Sequence, residues 1–185
     1  NSINMLDTSI LQQVTEIFRN LEANYTFRIS YAPQREESSQ LIEFLNDFAS
    51  TSTRLSVEKN EAEGDALAFD LLKNGQETGI TFRGIPNGHE FTSLLLAVLN
   101  ADGKGKNLPD EGIAGRIRSL SGDIRLQTYV SLTCTNCPDV VQTLNIFALL
   151  NPGIRHEMVD GALFQSEVDA KGVQAVPSVF ADGKL

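Results

Sequence analysis

The stretch Ile124–Leu132 (IRLQTYVSL) runs straight into Thr133-Cys134-Thr135-Asn136-Cys137-Pro138 and then through DVVQTLNIFALL to Leu150. A strand pattern hands over to a helix opening at Cys134, and Asn151-Pro152-Gly153 stops that helix. A helix N-terminus presents unpaired backbone N–H groups and about half a positive charge, which favours a thiolate at Cys134. Only the thiolate attacks disulfides. The two-residue spacing puts Cys137 about one turn further on, able to close a small ring with Cys134 or to attack a mixed disulfide formed there. Pro138 suits a first turn, where a missing N–H costs no intrahelical bond.

Beyond that helix, Ile154–Val159 reads as a strand, Leu163–Lys171 as a helix and Ser178–Ala181 as a strand ending at Asp182-Gly183. The second part of the chain is therefore β-α-β-α-β. Before it, Thr8–Leu21 has helical spacing with Thr8 or Ser9 as cap, Tyr25–Tyr31 alternates as a strand, Ser38–Phe48 is helical and Leu55–Lys59 is a short strand. Leu67–Leu72 and Ile80–Arg83 flank the turn Lys73-Asn74-Gly75-Gln76, and Glu90–Leu99 is a largely buried helix. Asp110–Leu120 reads as a connecting helix. This order predicts two α/β units, 5–118 and 119–185, with mixed sheets flanked by helices. Residues 1–4 precede Met5 and are left out of the fold reasoning.

Composition narrows the function classes. The 185 residues carry 15 Lys and Arg against 24 Asp and Glu, a net charge of −9 spread as −6 over 1–118 and −3 over 119–185. With no basic cluster, nucleic acid and anionic membrane surfaces are disfavoured partners. No apolar run approaches the roughly 20 residues that span a bilayer. No secretory signal is legible, and a cytoplasmic location is the expectation. Two cysteines exclude a many-bridged secreted framework.

The cysteine pair has two blander readings. It could be half of a zinc site, but His89 and His156, the only histidines, lack paired ligand spacing. It could also be two buried, inert thiols. Val176-Pro177, about forty residues on and just before a strand, is a second element of the pattern. An X-Pro bond there can be cis, and the alternative is a plain trans turn proline.

Two segments narrow the match further: Gly88-His89-Glu90-Phe91-Thr92-Ser93-Leu94, and Tyr129-Val130-Ser131-Leu132 followed, after Thr133, by CTNCPDVVQTLN. With Met5-Leu6-Asp7-Thr8 and Val176-Pro177-Ser178-Val179-Phe180, they resemble the N-terminal domain of the alkyl hydroperoxide reductase flavoprotein subunit. The resemblance implies two tandem thioredoxin-like folds, the first without cysteines, joined in the whole protein to a thioredoxin-reductase-like part that holds FAD and uses NADH. No cofactor is implied for this stretch itself. Electrons would pass from NADH through FAD and a reductase dithiol to this CxxC, and then to the disulfide of a partner peroxiredoxin. Cys134 would be the nucleophile and Cys137 the resolving thiol, with Thr133, Thr135, Val176 and Pro177 lining the substrate. The whole protein would be a homodimer.

The family's glutamate falls on Glu90, near the dithiol across the interface between the folds. A carboxyl there can take or give a proton during exchange; the plainer reading is a first-turn helix acid. His89 is expected to be a surface residue. Many relatives carry His between the cysteines where this chain has Thr135, which removes a cation from the neighbourhood of Cys134. A thioredoxin-type unit also needs a further strand and helix after Asp182-Gly183, so the second fold is expected to be incomplete at its C-terminus. Two other classes stay open: a redox-inert thioredoxin-like scaffold, and a general thioredoxin- or glutaredoxin-like reductant.

Overall fold

The computed structural model describes residues 6–185; Met5, with which the N-terminal match begins, and the start of the 5–118 unit lie outside them. By contacts the chain divides into two compact units, through Glu77 and from Thr78 onward. This is a different division from one near residue 118. Spatial compactness follows strand pairing, and Ile80–Arg83 pair in parallel with His156–Val159 far along the chain. The division into 5–118 and 119–185 counts repeats of element order instead, and stands as a proposal about the repeat.

The first unit comprises α1 (Thr8–Ile17), β1 (Tyr25–Tyr31), α2 (Glu36–Ala49), β2 (Leu55–Glu61) and β3 (Leu67–Lys73). Strand β1 pairs in parallel with β2 and antiparallel with β3. Asp7, not Thr8 or Ser9, caps α1 by accepting the Ile10 N–H at 2.8 Å. The helix ends at Ile17, four residues short of the expected Leu21. Phe18 and Leu21 still turn into the core through a Leu21 N–H to Phe18 carbonyl bond of 3.2 Å. Phenylalanines fill the space between helices and strands: Phe48 lies edge-on to Phe18 and Phe27, and Phe27 edge-on to Phe69, with centroids 5.5 to 5.9 Å apart. After β3 the expected turn is present. Asn74 and Gly75 take φ of +50° and +81°, the left-handed pair of a two-residue type I′ turn.

The second unit contains β4 (Gln76–Arg83) from Thr78 on, a 3-10 turn at Gly88–Glu90, α3 (Phe91–Ala101), α4 (Glu111–Ser119), β5 (Ile124–Val130), α5 (Cys137–Leu150), β6 (Ile154–Asp160), a 3-10 turn at Gly161–Leu163, α6 (Gln165–Lys171) and β7 (Ser178–Ala181). Its strand order is β4-β6-β5-β7, with β7 antiparallel. Parallel β4, β6 and β5 end at one edge, and the CxxC turn follows β5 there. This mixed sheet with helices is the expected α/β class. Among the described residues no helix is long and apolar enough to cross a membrane.

Period two sorts the side chains of β5 and β6. On one face Thr128 and His156 meet Asn145 of α5: His156 Nδ1 bonds to Asn145 Oδ1 and Nε2 to Thr128 Oγ1, both at 2.7 Å. An amide oxygen only accepts, so Nδ1 carries the proton and the Thr128 hydroxyl donates to Nε2. All three residues are buried, and burial pushes the imidazole pKa down to about 3. The dithiol helix is thus fastened to the sheet by a neutral histidine. On the other face Gln127 and Tyr129 join Arg83, Glu157, Glu167 and Lys171. Arg83 pairs with Glu167 at 2.8 Å, the Tyr129 hydroxyl donates to Glu167, and Gln127 donates to Glu157 at 2.8 Å. Replacing Thr128 with Val leaves Nε2 of a buried ring without its donor. We expect a loss of about 1–2 kcal/mol in urea unfolding, with the fold retained.

Candidate functional site: a buried and a half-buried cysteine

Cys134 and Cys137 are joined as a disulfide with Cα atoms 5.6 Å apart. Helix α5 begins at Cys137, three residues later than expected. Cys134 N–H donates back to the Ser131 carbonyl at 3.1 Å, so residues 131–134 form a turn. The Cys134 sulfur then accepts the Cys137 N–H at 3.2 Å, as a capping side chain would. Cys134 therefore sits ahead of the helix, facing its unpaired N–H groups, and is half-buried, whereas Cys137 is fully buried. Pro138 occupies the first turn. The asymmetry gives one sulfur that an outside partner can reach and one that it cannot.

The Val176–Pro177 bond is cis, and the Val176 carbonyl oxygen lies 4.0 Å from Cys134 Sγ. Val176 is exposed and Pro177 half-buried, while Thr133 and Thr135 are exposed on either side of Cys134. The fold thus gathers Thr133, Cys134, Thr135, Cys137, Val176 and Pro177 at one edge of the second unit. Among the described residues no group of three or more His, Cys, Asp or Glu has the arrangement of a metal site.

Glu90 belongs to the same compact unit as the dithiol. Its turn is docked on the turn that carries Cys134. His89 N–H donates to the Leu132 carbonyl at 2.9 Å, and a Cβ on Gly88 (φ +55°) would fall 2.8 Å from that same oxygen, so only glycine lets the turn come so close. His89 is exposed, as expected. Glu90 stands in the first turn of the 3-10 segment, as the plainer reading has it, and is fully buried. Its Oε1 accepts from the Ser93 hydroxyl at 2.6 Å, while Oε2 is buried with no hydrogen-bond partner among the described residues. Burial pushes the carboxyl pKa up to about 7, against a smaller downward pull from Ser93. Sequence reasoning missed Ser93, and Gln142 of α5, whose Nε2 donates to Ser93 Oγ at 3.2 Å. Both lie inside the two quoted segments; what hides them is that the contact joins positions 49 residues apart.

A sheet ending in strand, CxxC turn and helix, with a cis proline beside the outer sulfur, defines a thioredoxin-type disulfide oxidoreductase domain. The thioredoxin domain family matches residues 124–185. The chain is 39% identical over 180 residues to the F subunit of alkyl hydroperoxide reductase of Staphylococcus aureus (strain N315), covering 97% of this chain and 34% of that protein. It is also 39% identical to a Bacillus subtilis (strain 168) protein named NADH dehydrogenase, covering 97% and 35%. Among solved structures, the NTD_N/C domain of alkylhydroperoxide reductase AhpF from Enterococcus faecalis (V583) aligns with a TM-score of 0.87 at 31% identity, covering 97% of this chain and 92% of that one. The chain belongs to the family of N-terminal domains of alkyl hydroperoxide reductase AhpF. It spans about a third of the length of the curated relatives it matches.

Proposed function

We propose that this domain carries electron pairs from an NADH-dependent flavoprotein reductase part of the same protein to the disulfide of a partner peroxiredoxin. The observation that carries the reading is the pairing of a reachable Cys134, 4.0 Å from the Val176 carbonyl oxygen, with a buried Cys137. In the reduced domain the Cys134 thiolate attacks the partner disulfide, forming a mixed disulfide and expelling a partner thiolate. The Cys137 thiol gives up its proton, and its thiolate attacks the Cys134 sulfur. That closes the domain disulfide and releases the second partner thiolate. Two electrons pass to the partner together with the one proton of the Cys137 thiol, and the second partner thiolate takes its proton from solvent. Val176 and Pro177, with Thr133 and Thr135, present backbone and side chains to the partner segment around its cysteine.

Glu90 acts in this cycle as a proton store. A carboxyl titrating near neutrality takes a proton from a thiol in one half and returns it to an expelled thiolate in the other. FAD and NADH belong to the reductase part. The present sequence has no G-x-G-x-x-G turn to receive a dinucleotide pyrophosphate, so no step here runs through them. A cytoplasmic setting, where NADH is at hand, and a homodimeric whole protein belong to the same proposal.

The test is a trapping experiment. Cys137→Ser keeps the attacking sulfur and removes the resolving one, so incubation of the reduced variant with an oxidised peroxiredoxin should accumulate a one-to-one mixed disulfide on non-reducing gels. Insulin serves as the general disulfide comparator. Equal trapping of both would point to a general reductant, and no adduct with either would point to the redox-inert scaffold.

A further inference from the structure

Gln142, Ser93 and Glu90 form a hydrogen-bond chain whose direction is set by chemistry. The side-chain nitrogen of Gln142 can only donate, and it reaches Ser93 Oγ at 3.2 Å and Thr92 Oγ1 at 3.5 Å. With its oxygen accepting from Gln142, the Ser93 hydroxyl has its own proton free to give to Glu90 Oε1, 2.6 Å away. Glu90 Oε1 is therefore an acceptor in either charge state, and the other oxygen, Oε2, is buried and unpartnered among the described residues. Gln142 also rides on the dithiol helix, about one and a half turns beyond Cys137. A single rigid element thus fixes both the sulfur and the end of the chain that holds the carboxyl.

We propose that Ser93 and Gln142 are positioning residues that hold the Glu90 carboxyl with Oε1 as fixed acceptor, so that Oε2 is the oxygen that carries and delivers the proton. This deepens the reading of Glu90 as a proton store and rests on it for its place in the reaction. The step is balanced: the proton on Oε2 passes to an expelled cysteine thiolate, giving thiol and carboxylate, and the return transfer restores the acid. Throughout, the Ser93 hydroxyl stays on Oε1 and steadies the carboxylate when the proton has gone. Few other titratable groups lie on the elements packed here. Helix α3 has none from Phe91 to Ala101, α5 contributes Cys137 and an exposed Asp139, the adjoining turn contributes Cys134, and His89 is exposed.

The hydrogen-bond chain predicts a spectroscopic signature. In the infrared difference spectrum between wild type and Glu90→Gln at about pH 5, the carbonyl stretch of protonated Glu90 should appear lowered by the Ser93 hydrogen bond. Ser93→Ala should move it to higher wavenumber and raise the midpoint of the Glu90 carboxyl carbon in 13C NMR by about one pH unit. Gln142→Leu, at a half-buried position, should give a smaller rise and no additional one in the double variant. A stretch and midpoint that stay put in Ser93→Ala would overturn the proposal, as would full additivity of the two variants. The exchange rate against pH is measured separately. If stretch and midpoint move while the rate profile does not, the positioning chain stands and the role of Glu90 in exchange falls.

Discussion

Cys134→Ser should reduce disulfide-exchange activity to the uncatalysed background, with no covalent adduct formed on the way. Cys134 is the half-buried sulfur ahead of α5, while Cys137 has no exposed surface for a partner to reach. A hydroxyl in place of Cys134 cannot supply the thiolate that attacks a disulfide. Cys137 cannot substitute for it, because the partner sulfur would have to enter the core beneath α5. The check is NADH consumption in a reconstituted mixture of this domain, a flavoprotein reductase fragment and an oxidised peroxiredoxin, with turnover compared between wild type and variant. Retained turnover in Cys134→Ser would refute the assignment. The contrast with Cys137→Ser is informative, since that variant should still form the first bond and stop at the mixed disulfide.

What was legible of this site in the sequence is what lies close together along the chain. Strand, CxxC and helix follow one another, so the position of the outer cysteine could be read from pattern alone, although the helix start could not. The position of the first helical residue depends on the sulfur of Cys134 acting as acceptor for Cys137 N–H, a contact that no propensity encodes. The fastening of α5 to the sheet was out of reach for a different reason. Thr128, Asn145 and His156 are each unremarkable polar residues in apolar runs, and only strand register sets Thr128 and His156 diagonally across the β5–β6 ladder on one face. Ser93 and Gln142 were hidden in the same way. The division of the chain after Glu77 followed from the parallel pairing of β4 with β6, whereas a reading by element order sees the first β-hairpin as belonging wholly to the first half.

Two buried titratable groups of the second unit, Glu90 and His156, pull stability in opposite directions with pH, and Glu90→Gln should expose the hidden slope. Glu90 titrates at about 7 in the fold against an ordinary 4.5, so its neutral form is favoured by burial. Its contribution is full below pH 4.5 and is lost as pH rises through 7. His156 titrates at about 3 against an ordinary 6.5, because the buried ring is held neutral between Thr128 and Asn145. Its contribution is full above pH 6.5 and is lost as pH falls toward 3. Between pH 4.5 and 6.5 the native state holds one extra proton on Glu90 and lacks one on His156 relative to the unfolded chain. Each slope is about 1.4 kcal/mol per pH unit, with opposite signs, so together they leave the profile nearly flat across that window. In Glu90→Gln only the histidine term survives. The variant should lose roughly 2 kcal/mol relative to wild type on going from pH 6.5 to 4.5, whatever its absolute stability, the full slope being reached only inside the window. Burial raises the Asp160 carboxyl, and Arg83 and Tyr129 hold that of Glu167 low, but both act equally in the two proteins and drop out of the difference. Urea unfolding of both proteins at half-unit steps through this window is the measurement. Parallel profiles would mean that Glu90 is ionised in the native state well below neutrality, and with it the proton store proposed for the exchange cycle would be lost.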